Sequence, residues 1–112
     1  MITNKKLRRR IEMKLGILVN TDKHLEEVTG LTKAALSKGH EVMLFAMDDG
    51  TRLLEKPSYI DLHNLQGVTM SFCDHSAKGL GVKTEGVPEE IVCGSQYNNA
   101  GMSHDADKMI IL

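Results

Sequence analysis

Tryptophan is absent from this 112-residue chain, and phenylalanine and tyrosine occur only twice each. Four rings leave little bulk for filling gaps over a sheet, a shortage that matters below for assembly. Cysteine is almost as scarce. Cys73 and Cys93 stand twenty positions apart and form neither a multi-bridge framework nor a C-x-x-C pair. A reducing cytoplasm is therefore the expected location. Long apolar runs are missing too: none approaches the ~20 residues that span a bilayer. No apolar segment follows the basic N-terminus, so no secretory signal and no membrane partner is expected.

Several motifs are also lacking. There is no G-x-x-x-x-G-K-[ST] loop for nucleotide phosphates and no G-x-S-x-G nucleophile elbow. Gly79-x-Gly81 is not followed by the spacing of a dinucleotide fingerprint. No cofactor is expected. Cys73, His75, His24 and Cys93 do not have the spacing of a structural zinc site, and no metal is expected. Internal repeats and low-complexity segments are absent as well.

What remains is an ordinary globular composition, 41% hydrophobic and 26% charged, of a length that suits one domain. Charge is uneven along it. Lys5, Lys6, Arg8, Arg9 and Arg10 crowd the first dozen residues, which show no helical or strand periodicity. Without residues 1–12, nine basic side chains face fourteen acidic ones, a net of −5 against −1 for the whole chain. Residues 1–12 read as a basic, disordered extension and residues 13–112 as the folded domain. An acidic body offers no basic face for a phosphate backbone, so nucleic acid is not expected as a partner.

Within residues 13–112 the pattern alternates strand and helix. Leu15-Gly-Ile-Leu-Val19 is a continuous apolar run, as in a parallel strand covered on both faces. Asn20, Thr21 and Asp22 offer cap chemistry for a helix over residues 23–38, with Leu25, Val28, Leu31 and Ala35 on one face. Residues 41–47 give a second strand, turned by Asp48-Asp49-Gly50. A short helix over 51–56 should stop at Pro57, and Ser58-x-x-Asp61 resembles a capping box opening another. Val68 to Phe72 form a third strand, residues 74–80 a brief helix, 91–93 a fourth strand, 96–104 a weak helix and 107–112 a last strand. The order predicts an α/β fold: one three-layer α-β-α domain with a five-stranded, mostly parallel sheet joined by right-handed crossovers. Only the first helix is long, so apolar surface is expected to remain for a homo-oligomer to bury.

Cys73 falls where the third strand gives way to the Asp74-His-Ser-Ala-Lys78 helix. Free N–H groups at a helix start favour thiolate over thiol, worth roughly 0.3–1 kcal/mol from the dipole. His75 or Lys78 would have to add to this, while Asp74 opposes it. The competing reading is a small buried hydrophobe that ends a strand. Cys93 reads as a packing residue. Ligands of open parallel sheets bind outside the strands' carboxyl ends. Asn20, Thr21, Asp48, Gly94 and Ser95 are accordingly candidate binding positions, beside Cys73 and His75 as candidate catalytic ones.

Read together, several segments resemble the DsrE/DsrF-like family of small sulfur-relay proteins. They are Lys14-Leu-Gly-Ile-Leu-Val-Asn20, Leu31-Thr-Lys-Ala-Ala35, Lys38-Gly-His-Glu-Val42, Phe45-Ala-Met-Asp48-Asp-Gly50, Phe72-Cys73 with Gly81-Val82, and Ala106-Asp-Lys-Met-Ile-Ile-Leu112. The resemblance implies a flavodoxin-like subunit forming trimers or hexamers. It also implies a cysteine after the third strand that accepts sulfane sulfur as a persulfide and passes it on. Sulfur donor and acceptor proteins are the implied partners, and Cys73 is the implied carrier. The same fold also admits a non-enzymatic binding or assembly module, or a small-ligand or metal site at the strand ends.

Overall fold

A computed structural model of the chain describes residues 13–112; the basic segment 1–12 lies outside the described residues. Five strands form one sheet: β1 (Lys14–Val19), β2 (Glu41–Ala46), β3 (Val68–Cys73), β4 (Ile91–Gly94) and β5 (Lys108–Ile111). Their spatial order is β4-β3-β2-β1-β5, and every neighbouring pair is parallel. The chain steps outward from β1 to β4, then returns across three strands to pair β5 with β1. Right-handed crossovers in opposite directions put their helices on opposite faces of the sheet.

The first face carries helix α1 (Leu25–Ser37), a 3-10 segment (Asp48–Glu55), helix α2 (Pro57–Ile60), a second 3-10 turn (Asp61–Asn64) and helix α3 (Asp74–Leu80). Strand pleating sends Ile17, Val19, Val42, Leu44, Ala46, Met70, Phe72 and Ile91 into this larger core, where Val28 and Ala35 of α1 meet them. Among the described residues, the second face has only helix α4 (Gln96–Asp105). Its small core is Phe45, Cys73 and Met102, edged by Leu18, Met43, Met47 and Met109.

Local chemistry departs from expectation in two places. The helical segment before Pro57 does stop there, as a 3-10 helix ending at Glu55, but Pro57 also begins α2 as a first-turn proline, where an N–H has no intrahelical partner to lose. Ser58 is therefore inside the helix and caps nothing; the residue at the N-cap is Lys56. At the start of α1 the N-cap is His24, with no side-chain cap, while the Thr21 hydroxyl accepts the Lys23 N–H at 2.8 Å. Asp48 has φ of 48°, the one non-glycine with positive φ among the described residues, and turns β2 into the 3-10 segment. Two residues on, Gly50 lies so close to β1 that a Cβ there would run into the Val19 carbonyl.

Candidate functional site around Cys73

No loop separates β3 from α3. Cys73 is the last strand residue (φ −84°, ψ 111°) and at the same time the N-cap of the helix. Its sulfur accepts the Ser76 backbone N–H at 3.5 Å, meeting one of the donors that a helix start leaves free. The residue is only 3% exposed. It belongs to a small second-face cluster with Phe45 of β2 and Met102 of α4, edged by Met43, Met47 and Met109, with Met102 itself lying over Gly16 of β1. Methionine is soft and rotatable, so this face is packed by side chains that rearrange at low cost.

Cys93 is exposed, where a packing residue was expected. The register pairs Phe72 with Cys93 and Cys73 with Gly94. The Cα atoms of the two cysteines are thus roughly 6 Å apart, from a strand spacing of about 4.8 Å and a one-residue offset. Alternation nevertheless points the two side chains to opposite faces, and a disulfide would need backbone movement. Cys93 lies on the first face at the β4 edge, beside the start of α3. The Asp74 carboxylate accepts a hydrogen bond from its thiol and is held at 2.9 Å by Lys78. The Lys78 hydrogen bond is the main cause keeping Asp74 below the usual carboxylate range, and the same contact raises Lys78. Desolvation of the sulfur comes first in raising the Cys93 thiol, ahead of the Asp74 carboxylate, although the residue as a whole is exposed.

The other predicted positions separate along the sheet edge. His75 is exposed and lines a cleft of about 390 Å³ with Asp48, Asp49, Ser76, Gly79 and Leu80. Asp48 and His75 therefore come together, on the β2 side of Cys73. Gly94 pairs directly with Cys73, and Ser95 caps α4 by accepting the Tyr97 N–H at 3.2 Å. Asn20 and Thr21 follow β1, with β2 lying between them and β3. They border the switch point between β1 and β5, where the Asn20 N–H meets the Leu112 carbonyl at 3.1 Å. Two features escaped sequence reasoning: the Cys93–Asp74–Lys78 cluster and the Phe45–Cys73–Met102 cluster on the second face. Both depend on strand order, which no local motif announces. Among the described residues, no group of three or more His, Cys, Asp or Glu side chains could hold a metal ion. No helix there is long and apolar enough to cross a membrane.

A thiol ending the third strand of a parallel α/β sheet defines a small cysteine-bearing subunit of flavodoxin-like architecture. The model of the DsrE/DsrF-like family matches residues 13–111, and the chain belongs to that family. Membership supports a sulfur-relay-like role at the level of the family. The crystal structure of the YchN protein from E. coli is similar, with a TM-score of 0.70 over 89% of this chain and 99% of that one. At 17% identity, that likeness shows the shared fold. Comparison with curated proteins gave no match.

Proposed function

We propose that this chain is a sulfur-relay protein in which Cys73 carries sulfane sulfur as a persulfide. The observation that carries this reading is the Ser76 amide aimed at the Cys73 sulfur, at the strand-helix junction of a DsrE/DsrF-like chain. The Cys73 thiolate attacks the outer sulfur of a donor persulfide, R–S–SH. A bond forms between the two sulfurs, the donor's S–S bond breaks, and the donor leaves as R–S⁻. An acceptor thiolate then attacks the outer sulfur of Cys73–S–SH and returns the Cys73 thiolate. No net oxidant or reductant is consumed. The amide helps hold negative charge on Cys73 before loading and after delivery. His75 serves as the proton shuttle from the neighbouring cleft, and the positions nearest β3, Asp48 with Gly94 and Ser95, receive the donor or acceptor. Asn20 and Thr21 extend that binding edge toward β5. Trimers or hexamers are the working form.

Incubation with a low-mass persulfide should add about 32 Da, one sulfur atom, to the wild-type chain and to Cys93→Ser, but not to Cys73→Ala. His75→Ala should slow loading without lowering its final extent. No adduct on Cys73 at any donor level removes the proposal. One observation favours a second reading, an assembly module in which Cys73 merely packs: its 3% exposure. Under that reading, iodoacetamide modifies Cys73 no faster than global unfolding exposes it.

A further inference from the structure

Four of the chain's seven methionines, Met43, Met47, Met102 and Met109, belong to the small cluster on the second face. We infer that three of them, Met43, Met102 and Met109, form a thioether site above Gly16 that takes a soft monovalent cation, copper(I). The site is separate from the proposed relay and does not depend on it.

Convergence is the first ground. In the row that crosses the sheet at Gly16, β2 contributes Met43 and β5 contributes Met109, each paired directly with the glycine. Met109 Sδ occupies the place where a Cβ of Gly16 would stand, and Met102 Cγ comes down from α4 to 3.3 Å from that same point. Neighbouring strands are about 4.8 Å apart, so two thioethers stem from backbone on either side of the glycine, and the third comes from above it. With no side chain at Gly16 between them, each can turn its sulfur to a common point through its rotatable bonds.

Donor chemistry is the second ground. Thioether sulfur is a soft, neutral ligand. Magnesium and calcium demand oxygen, and zinc sites are built from thiolate, imidazole and carboxylate. Three thioethers therefore select copper(I). The His, Cys, Asp and Glu clusters that would hold harder metals are absent among the described residues, and methionine is not one of those ligands.

Charge and access are the third. A cation among apolar groups needs a countercharge. Asp105 supplies one, because it lines the cavity of about 310 Å³ beside α4 together with Met43 and Met102. Asp105 is exposed and Met43 and Met109 are half-buried, which gives the cation a path from solvent.

The test uses the full chain carrying Cys73→Ser and Cys93→Ser, because thiolates would otherwise capture the probe. Silver(I), a soft cation that undergoes no redox change here, is titrated in chloride-free buffer and followed by calorimetry and native mass spectrometry. Copper(I) is then added anaerobically against a bicinchoninate competitor. Each should bind as a single cation per chain. Thioethers do not titrate, so the affinity should stay flat between about pH 5 and pH 8, where histidine ligands would lose theirs to protons. Leucine nearly conserves the volume of methionine. Met43→Leu, Met102→Leu and Met109→Leu should each weaken binding at least tenfold with the fold intact, Asp105→Asn severalfold, and Met47→Leu not at all. Should the cysteine-free chain fail to fold, the methionine methyl resonances of the wild-type chain are read instead. Silver(I) added beyond the amount held by the two thiols should then move the signals of Met43, Met102 and Met109 but not those of Met47 and Met70. Absence of a bound cation overturns the inference. So does an affinity that follows a histidine titration, binding indifferent to the three leucine variants, or methyl signals that do not move.

Discussion

Asp74 serves two neighbours with one carboxylate, accepting from Lys78 on its own helix and from the Cys93 thiol on the next strand. The directions of the two shifts fix the signs of their pH dependence. Asp74 is lowered by folding, so its contribution to stability is present above the ordinary carboxylate range and is lost as pH falls through its folded value. Cys93 is raised, so its contribution is complete below the ordinary thiol range and is lost as pH climbs through the folded value. Asp74→Asn takes away the negative charge and lets the thiol ionise more readily. In a Cys73→Ser background at pH 8, alkylation of Cys93 should then accelerate severalfold; an unchanged rate would mean that the carboxylate does not govern it. Deeper in the first-face core, the hydroxyls of Thr32 and Tyr59 are fully buried without a hydrogen-bond partner among the described residues, and burial holds the Tyr59 phenol well above its usual range. A buried hydroxyl without a partner costs stability, whereas an apolar group of the same shape does not. Tyr59→Phe and Thr32→Val should each be neutral or stabilising by about 1 kcal/mol in urea unfolding. A loss of that size instead would reveal a partner for the hydroxyl.

At the scale of elements, Gly50 shows how closely the strand ends are stacked. The 3-10 segment after β2 crosses the end of β1 with room for a hydrogen and no more, since a Cβ would meet the Val19 carbonyl. Gly50→Ala should destabilise the chain by about 1–3 kcal/mol, as overpacking does, and lower the urea midpoint accordingly. An unchanged midpoint would mean that the segment can shift away from β1. Apolar runs made β1 and β2 legible from sequence, because strands covered on both faces leave little choice of residue. The long amphipathic helix α1 was legible for a similar reason. Signals carried by single residues were less dependable. Pro57 suits a helix start as well as a stop, and Ser58-x-x-Asp61 matched a capping pattern one position too late to cap α2. The position of Cys73 was readable because a strand-helix junction is a local feature. Its burial was not, since the second-face cluster it joins, with Phe45 and Met102, is built from distant segments that only the β4-β3-β2-β1-β5 order brings together.

For the molecule as a whole, the two faces of the sheet are unequally covered, and self-association is the expected consequence. Two α-helices, two 3-10 segments and the short α3 shield the first face, while among the described residues α4 alone lies over the second. Val92 is 49% exposed, Ile111 67% and Tyr97 85%, and all three belong to the second face or its helix. Aliphatic side chains of this size gain about 1.5–3 kcal/mol each when fully removed from water. Val92 and Tyr97 beside the apolar wall of the α4 cavity, and Ile111 at the opposite edge of the sheet, offer a second copy apolar surface to cover. Self-association predicts a light-scattering mass at micromolar concentration that is a multiple of 12.4 kDa, threefold or sixfold for the trimer or hexamer proposed above. Val92→Lys with Ile111→Lys should return a folded monomer with an unchanged far-ultraviolet spectrum. Both positions are already exposed, so the fold bears little of the cost while an interface would have to bury two charges. A wild-type mass of 12.4 kDa overturns self-association on this face, and a double variant that stays oligomeric moves the interface elsewhere.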